Sequence, residues 1–183
     1  MSSWRNKFLC LVVLGWVFVQ STSLAQRDFD PESNPPFKDR MYYGGNLGLQ
    51  FGTVTLIDIS PLAGVMINSK LSTGIGATYQ YFDDNRFQGS TGSSYGARFF
   101  TRYNVLPNIF AYSEVESINW NAYNFFNDRF QRTWTEAFFI GAGYFTPFGP
   151  RGGANFTFLY NLMHDNRNSY YNEPYVIRVG FVL

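Results

Sequence analysis

Between residues 71 and 81 the chain alternates strictly. Leu71, Thr73, Ile75, Ala77, Tyr79 and Tyr81 share one parity, while Ser72, Gly74, Gly76, Thr78 and Gln80 share the other. A period of two is the signature of a β-strand with unlike faces. A helix would mix the two sets and carry two interior glycines, each costing about 1 kcal/mol against alanine. One face is bulky and apolar, the other small or polar.

The same pattern recurs along the chain and predicts eight strands, at 40–52, 54–67, 71–81, 93–104, 109–120, 132–146, 152–163 and 173–183. Pro61 interrupts the second, where it cannot donate to a ladder, so a bulge or local irregularity is expected there. The connections alternate in length. Compact turns are read at 68–70, 105–108 and 147–151, and longer polar loops at 83–92, 121–131 and 164–172. The connection near Thr53 is the brief exception on the long-loop side. Each strand approaches or exceeds the roughly 9–11 residues that a tilted strand needs to cross a bilayer. These features predict an all-β, eight-stranded antiparallel up-and-down transmembrane β-barrel.

Size decides which face points inward. Eight strands enclose a space just wide enough for side chains to fill. The stacked Tyr, Phe, Trp, Ile and Leu side chains would overfill it, so the small polar face is expected inside and the bulky face in lipid. Tyr81, Tyr103, Trp120, Trp134 and Phe181, near strand ends, are expected at the two interfaces. A secreted lipocalin-like barrel would invert the faces and need an exterior rich in Lys and Glu. Beyond the first 25 residues the lysines are Lys38 and Lys70.

The amino terminus has the form of an export signal. Arg5 and Lys7 precede an apolar run from Phe8 to Val19, and Ser23-Leu24-Ala25 offers small residues for cleavage before Gln26. Residues 26–39 are polar, contain three prolines and read as a flexible lead. The expected organisation is therefore a signal peptide (1–25), a lead segment (26–39) and a barrel (40–183). Cys10 starts the apolar run instead of following it, which argues against a lipidated cysteine. Aromatics form 20 % of the 183 residues and charged residues 15 %, and the formal net charge of +1 gives no basic field for nucleic acid.

Candidate chemistry is sparse. Arg98 and Arg102 share the inner parity of the fourth strand, and Glu114 and Glu116 that of the fifth. A tight turn makes these strands neighbours, so the four charges should meet. Arg178, Asp58 and Gln80 extend the set. Buried charge is tolerated when paired and hydrogen-bonded. The cluster reads as a plug that closes the lumen and fixes register, with a constricted polar pore or gate as the alternative. Paired carboxylates also suit acid–base catalysis, but neighbouring arginines would hold them ionised. His164-Asp165 with Ser169 could form a hydrolytic set, although no spacing supports a triad. One histidine and no cysteine after Cys10 make a zinc site a poor fit, and Asp83-Asp84 lacks a calcium-loop motif. Gly44-Gly45, Gly74-Ile75-Gly76 and Gly141-Ala142-Gly143 lie on strands with no helix following, so they are not phosphate loops. The expectation is a non-enzymatic protein without a cofactor.

The eight amphipathic strands, the leader ending Ala25-Gln26 and the last strand Tyr175-Val176-Ile177-Arg178-Val179-Gly180-Phe181-Val182-Leu183 carry a resemblance. The chain resembles small outer-membrane β-barrel proteins of the OmpX and OmpA type, and among them the short barrel proteins of Bacteroidetes-like bacteria. The resemblance covers about residues 40–183. It implies a cell outer-membrane location in contact with lipid, insertion by the barrel assembly machinery through the C-terminal strand, and a possible envelope protein partner. It implies no shared catalytic residues. The family usually ends in an aromatic, whereas this chain ends in Leu183 with Phe181 as the nearest ring.

Overall fold

The computed structural model describes residues 35–50, 54–84, 92–124, 129–148, 152–165, 169–171 and 173–183. The expected signal peptide and most of the lead segment lie outside these residues. What is described of the lead is not all irregular, because Phe37–Arg40 forms one helical turn, α1. Pro36 precedes it, and the Asp39 N–H donates to the Pro36 carbonyl at 2.9 Å.

Eight strands follow: β1 (Met41–Gln50), β2 (Val54–Met66), β3 (Leu71–Asp84), β4 (Gly92–Leu106), β5 (Ile109–Asn124), β6 (Arg129–Pro147), β7 (Gly153–Asn161) and β8 (Tyr175–Val182). Each pairs antiparallel with its sequence neighbour, and β8 returns to β1, closing an all-β up-and-down barrel. Closure matters because an open edge would leave backbone donors and acceptors unpaired.

The turns follow local chemistry. At the β2–β3 turn, Asn68 Oδ1 accepts from the N–H groups of Lys70 (2.9 Å) and Leu71 (2.7 Å), an Asx turn. Pro107-Asn108 alone joins β4 to β5, and a register shift falls between Asn104 and Leu106. At Pro61 the irregularity takes a different form from a bulge. The β2–β3 ladder omits Ser60 and Pro61 and resumes in unchanged register, with Ile59 opposite Tyr79 and Leu62 opposite Gly76.

Two boundary expectations are corrected. The loop read at 121–131 is mostly ladder: Asn121 pairs with Arg132, Ala122 with Gln131, Tyr123 with Phe130 and Asn124 with Arg129. Cross-strand pairing carries the hairpin on past the point where apolar alternation fades. The last connection is longer than expected, because β7 ends at Asn161 and β8 starts at Tyr175.

The facing is as the alternation predicts. Ile75, Tyr79, Phe99, Val115, Ile140, Phe158, Ile177 and Phe181 are exposed on the outer wall. The interior, however, is less uniformly small and polar than expected, for Phe100, Phe110, Ile118, Phe139, Phe145 and Leu159 are buried there. Glycine makes the room. Tyr42 faces Gly64, Phe100 faces Gly74, Arg98 faces Gly76, Tyr112 faces Gly141 and Phe110 faces Gly143 across adjacent strands. A Cβ on Gly74 would come within 2.6 Å of the Phe100 ring tip, and one on Gly143 would collide with the Phe110 ring. These five large inward side chains thus lie over neighbours that have none, the small–large alternation by which a narrow barrel fills. Trp120 is a further correction. It lies on the lumen side, where Nε1 donates to Thr135 Oγ1 at 2.8 Å and the indole meets the Tyr170 ring edge-on at 5.5 Å.

Candidate functional site

The site is the charged layer across the lumen. Arg98 on β4 lies over Gly76 on β3, where a Cβ would stand 2.7 Å from Nε and 3.0 Å from Cγ. The missing side chain lets the guanidinium cross β3 and reach β2. There Nη2 donates to the Ser60 carbonyl at 3.0 Å, beside the interruption of the ladder.

Glu114 and Glu116, two apart on β5, both point inward and are each 1 % exposed. Glu114 accepts from Arg178 Nη1 at 2.5 Å and from the Tyr112 hydroxyl at 2.8 Å, with Arg98 Nε at 4.0 Å. Glu116 accepts from Thr78 Oγ1 at 3.1 Å and from the Tyr171 hydroxyl at 2.5 Å, and Arg178 Nη2 stands 3.5 Å away. An isolated buried carboxylate costs several kcal/mol of desolvation. Here each carboxylate has two hydrogen-bond donors and a cation. Two arginines and two glutamates also sum to zero charge.

The structure thus brings together Arg98, Glu114, Glu116 and Arg178, and it corrects the placement of Arg102. Arg102 lies towards the turn end, its guanidinium 3.9 Å from the Phe110 ring centre and 5.5 Å from that of Phe145. Nε donates to Asn104 Oδ1 at 3.1 Å and Nη1 to Asn155 Oδ1 at 3.4 Å. Its cross-strand partner on β5 is Tyr112 and not a glutamate. The two-residue turn and the adjoining register shift fix that offset. Aromatic faces then stabilise a cation that meets no carboxylate among the described residues.

Asp58 and Gln80 extend the network on the loop side. Asp58 Oδ1 accepts from Ser60 Oγ at 2.6 Å and Oδ2 from Gln80 Nε2 at 3.5 Å, while the Tyr170 hydroxyl donates to Gln80 Oε1. Tyr170 and Tyr171 are the members of this network that the alternation does not reveal. They belong to the β7–β8 connection, where no periodicity marks a direction. The connection folds back through Ser169, whose N–H donates to the Asp165 carbonyl (3.0 Å) and whose Oγ accepts from the Tyr171 N–H (3.3 Å). The Tyr171 ring then packs edge-on against Phe139 at 5.2 Å. Burial, and after it the Glu116 carboxylate, push the Tyr171 phenol well above its usual range, so it stays a donor. Ser169 and Asp165 therefore shape this loop.

A cavity of about 360 Å³ lies on the loop side of the charged layer, and one of about 30 Å³ on the turn side. The smaller has room for about one water molecule. Arg102, Phe110 and Tyr112 line it, so the polar column narrows sharply below the cluster.

No protein-family model matches the chain. No curated protein matches it either. Among solved structures it is similar to the N-terminal β-barrel domain of Pseudomonas aeruginosa OprF, at 14 % identity and a TM-score of 0.46, over 78 % of this chain and 96 % of that one.

Proposed function

We propose that this chain is a non-enzymatic integral barrel protein of the outer membrane, with a structural, adhesive or accessory role in the envelope and a lumen closed by its Arg–Glu layer. One observation carries the reading: the closed barrel turns its apolar and aromatic side chains outward and its ion pairs inward. An apolar exterior around a charged interior is stable in hydrocarbon and unstable in water. Tyr103 and Phe181 near the turn end, and Tyr81 and Trp134 near the loop end, mark two levels where amphipathic rings meet the interface. The partners expected are outer-membrane lipid, the barrel assembly machinery during insertion and an envelope protein at the long-loop end.

The lumen reads as a plug and not as a conduit. Arg178 on β8 spans to Glu114 and Glu116 on β5, and below it the space shrinks to about 30 Å³. Envelope fractionation should place the protein with outer-membrane markers, and its gel mobility should shift on heating. In planar bilayers the purified protein should give no unitary conductance. Recovery as a soluble protein without detergent would refute the membrane reading, and steady single-channel currents would refute the plug.

A further inference from the structure

The barrel wall has one weak seam. β1 and β8 pair at Gly44–Val182, Gly45–Phe181 and Asn46–Gly180, and the ladder stops there. Towards the turn end it gains one more step, where the Leu183 N–H donates to the Tyr43 carbonyl at 2.8 Å. Carried on in the same register, Leu47 would face Val179, yet that is no ladder pair. Both strands continue beyond this point, for β1 still pairs with β2 and β8 with β7. Each therefore keeps one satisfied edge and turns the other to a gap. An open backbone edge in hydrocarbon is costly unless it lines a cavity or meets a partner.

The cavity of about 360 Å³ runs into this gap. Asp58, Arg98 and Glu116 line it from the lumen, and Leu47, Ile177 and Val179 line it from the outer face of the wall. Outward-facing side chains reach this cavity from β1 and β8 and from no other described strand. Tyr170 and Tyr171 line it on the loop side, and Arg98, Glu116 and Arg178 on the side of the charged layer. Leu47, Ile177 and Val179 carry it to the outer wall between two strands.

The mouth is apolar and the inner end is polar. Arg98 is 4 % exposed, and its Nε has no hydrogen-bond acceptor, since Glu114 at 4.0 Å is too distant. An acceptor oxygen would complete it. The charged residues that line the cavity are Arg98 and Arg178 against Asp58 and Glu116, which balance. No net positive charge is left to hold an anionic headgroup, whereas a neutral hydroxyl or ester oxygen needs none. The volume lies at the low end of the roughly 300–1,000 Å³ of small-molecule sites, which suits one slender chain.

The geometry points to a lateral entry between β1 and β8 for a neutral single-chain amphiphile of the monoacylglycerol class. Its tail lies along Leu47, Ile177 and Val179, and its head oxygen accepts from Arg98 Nε. A strand from another protein would satisfy the open backbone edges but would not reach Arg98. This inference rests on the barrel being embedded in a membrane.

The test uses the full chain in detergent with Cys10→Ser, native mass spectrometry and monopalmitoylglycerol as the probe. A one-to-one adduct is expected. In a Leu47→Cys/Val179→Cys variant, oxidation locks the seam and the adduct should fall on the order of tenfold, returning on reduction. Gly48→Phe fills the cavity from β1 and should give the same loss whether or not the disulfide forms, with retained heat-modifiable mobility showing that the nearby Arg178 ion pairs still hold the barrel. Several results would overturn the proposal: no adduct, an adduct indifferent to both changes, or stronger binding of palmitate than of the glyceride. A dimer lost on oxidation, in place of the lipid adduct, would assign the seam to a second copy of the chain. A barrel that keeps heat-modifiable mobility but takes no adduct refutes the entry alone. One that needs no detergent refutes the membrane reading with it.

Discussion

The β5–β6 wall and the β8–β1 seam are built from the same kind of strand and held in different ways. All 16 residues of β5 pair with β6 in unbroken register. At the seam the ladder covers three residues of each strand. The first hairpin closes a short loop, so its pairing costs little chain entropy. The second joins the two ends of the barrel sequence, the most expensive closure in the fold. β1 also holds Gly44, Gly45 and Gly48, which pack little across a ladder. What secures β8 lies on its other side. Arg178 crosses the lumen to Glu114 and Glu116, so the weak strand is tied to the strong wall by buried ion pairs. The charged layer thus acts as a strut between β8 and β5.

That contrast can be broken most forcefully at Glu114. Glu114→Ala leaves Arg178 buried beside a single carboxylate and should cost about 3–5 kcal/mol. Urea titration of heat-modifiable mobility in lipid vesicles measures it, and an unchanged midpoint would show that the strut carries no load. Overfilling the strong wall ranks next. Gly143→Leu drives a side chain into the Phe110 ring and should cost about 1–3 kcal/mol or block folding. Gly92→Ala, with nothing within 4 Å of the added carbon, should stay within about 0.5 kcal/mol, and equal losses for the two would refute the small–large packing. Tyr171→Phe removes one donor to Glu116 and should cost about 1.5 kcal/mol by the same titration, whereas Tyr103→Phe on the outer wall should cost almost nothing. The smallest effect is on dynamics alone. Amides of Leu47 and Val179 should exchange with deuterium faster than those of Val115 and Phe138 by NMR in micelles, and equal protection would mean that the seam is closed.

Much of this was legible before any fold was in hand. Alternation placed Arg98, Glu114, Glu116 and Arg178 on one face of their strands, and a tight reversal after Leu106 made β4 and β5 neighbours. Arg102 carried the same signal and went elsewhere, because a shift between Asn104 and Leu106 and a pair of phenylalanine rings decided its contacts. The continuation of the β5–β6 hairpin through Asn124 was hidden, since polar residues on both faces give no contrast to read. Tyr170 and Tyr171 were hidden for a related reason: a loop has no repeat from which to infer a direction.

The sequence by itself determined the element type, the facing of nearly every strand residue and the sign of the interior. Those follow from a two-residue period and from the cost of placing charge or grease in the wrong medium. Only the tertiary structure decided which glycine lies under which ring, where the last strand stops pairing with the first, and which of five charges meet. These depend on stagger between strands, and stagger is fixed when the sheet closes on itself, by contacts between residues far apart in the chain.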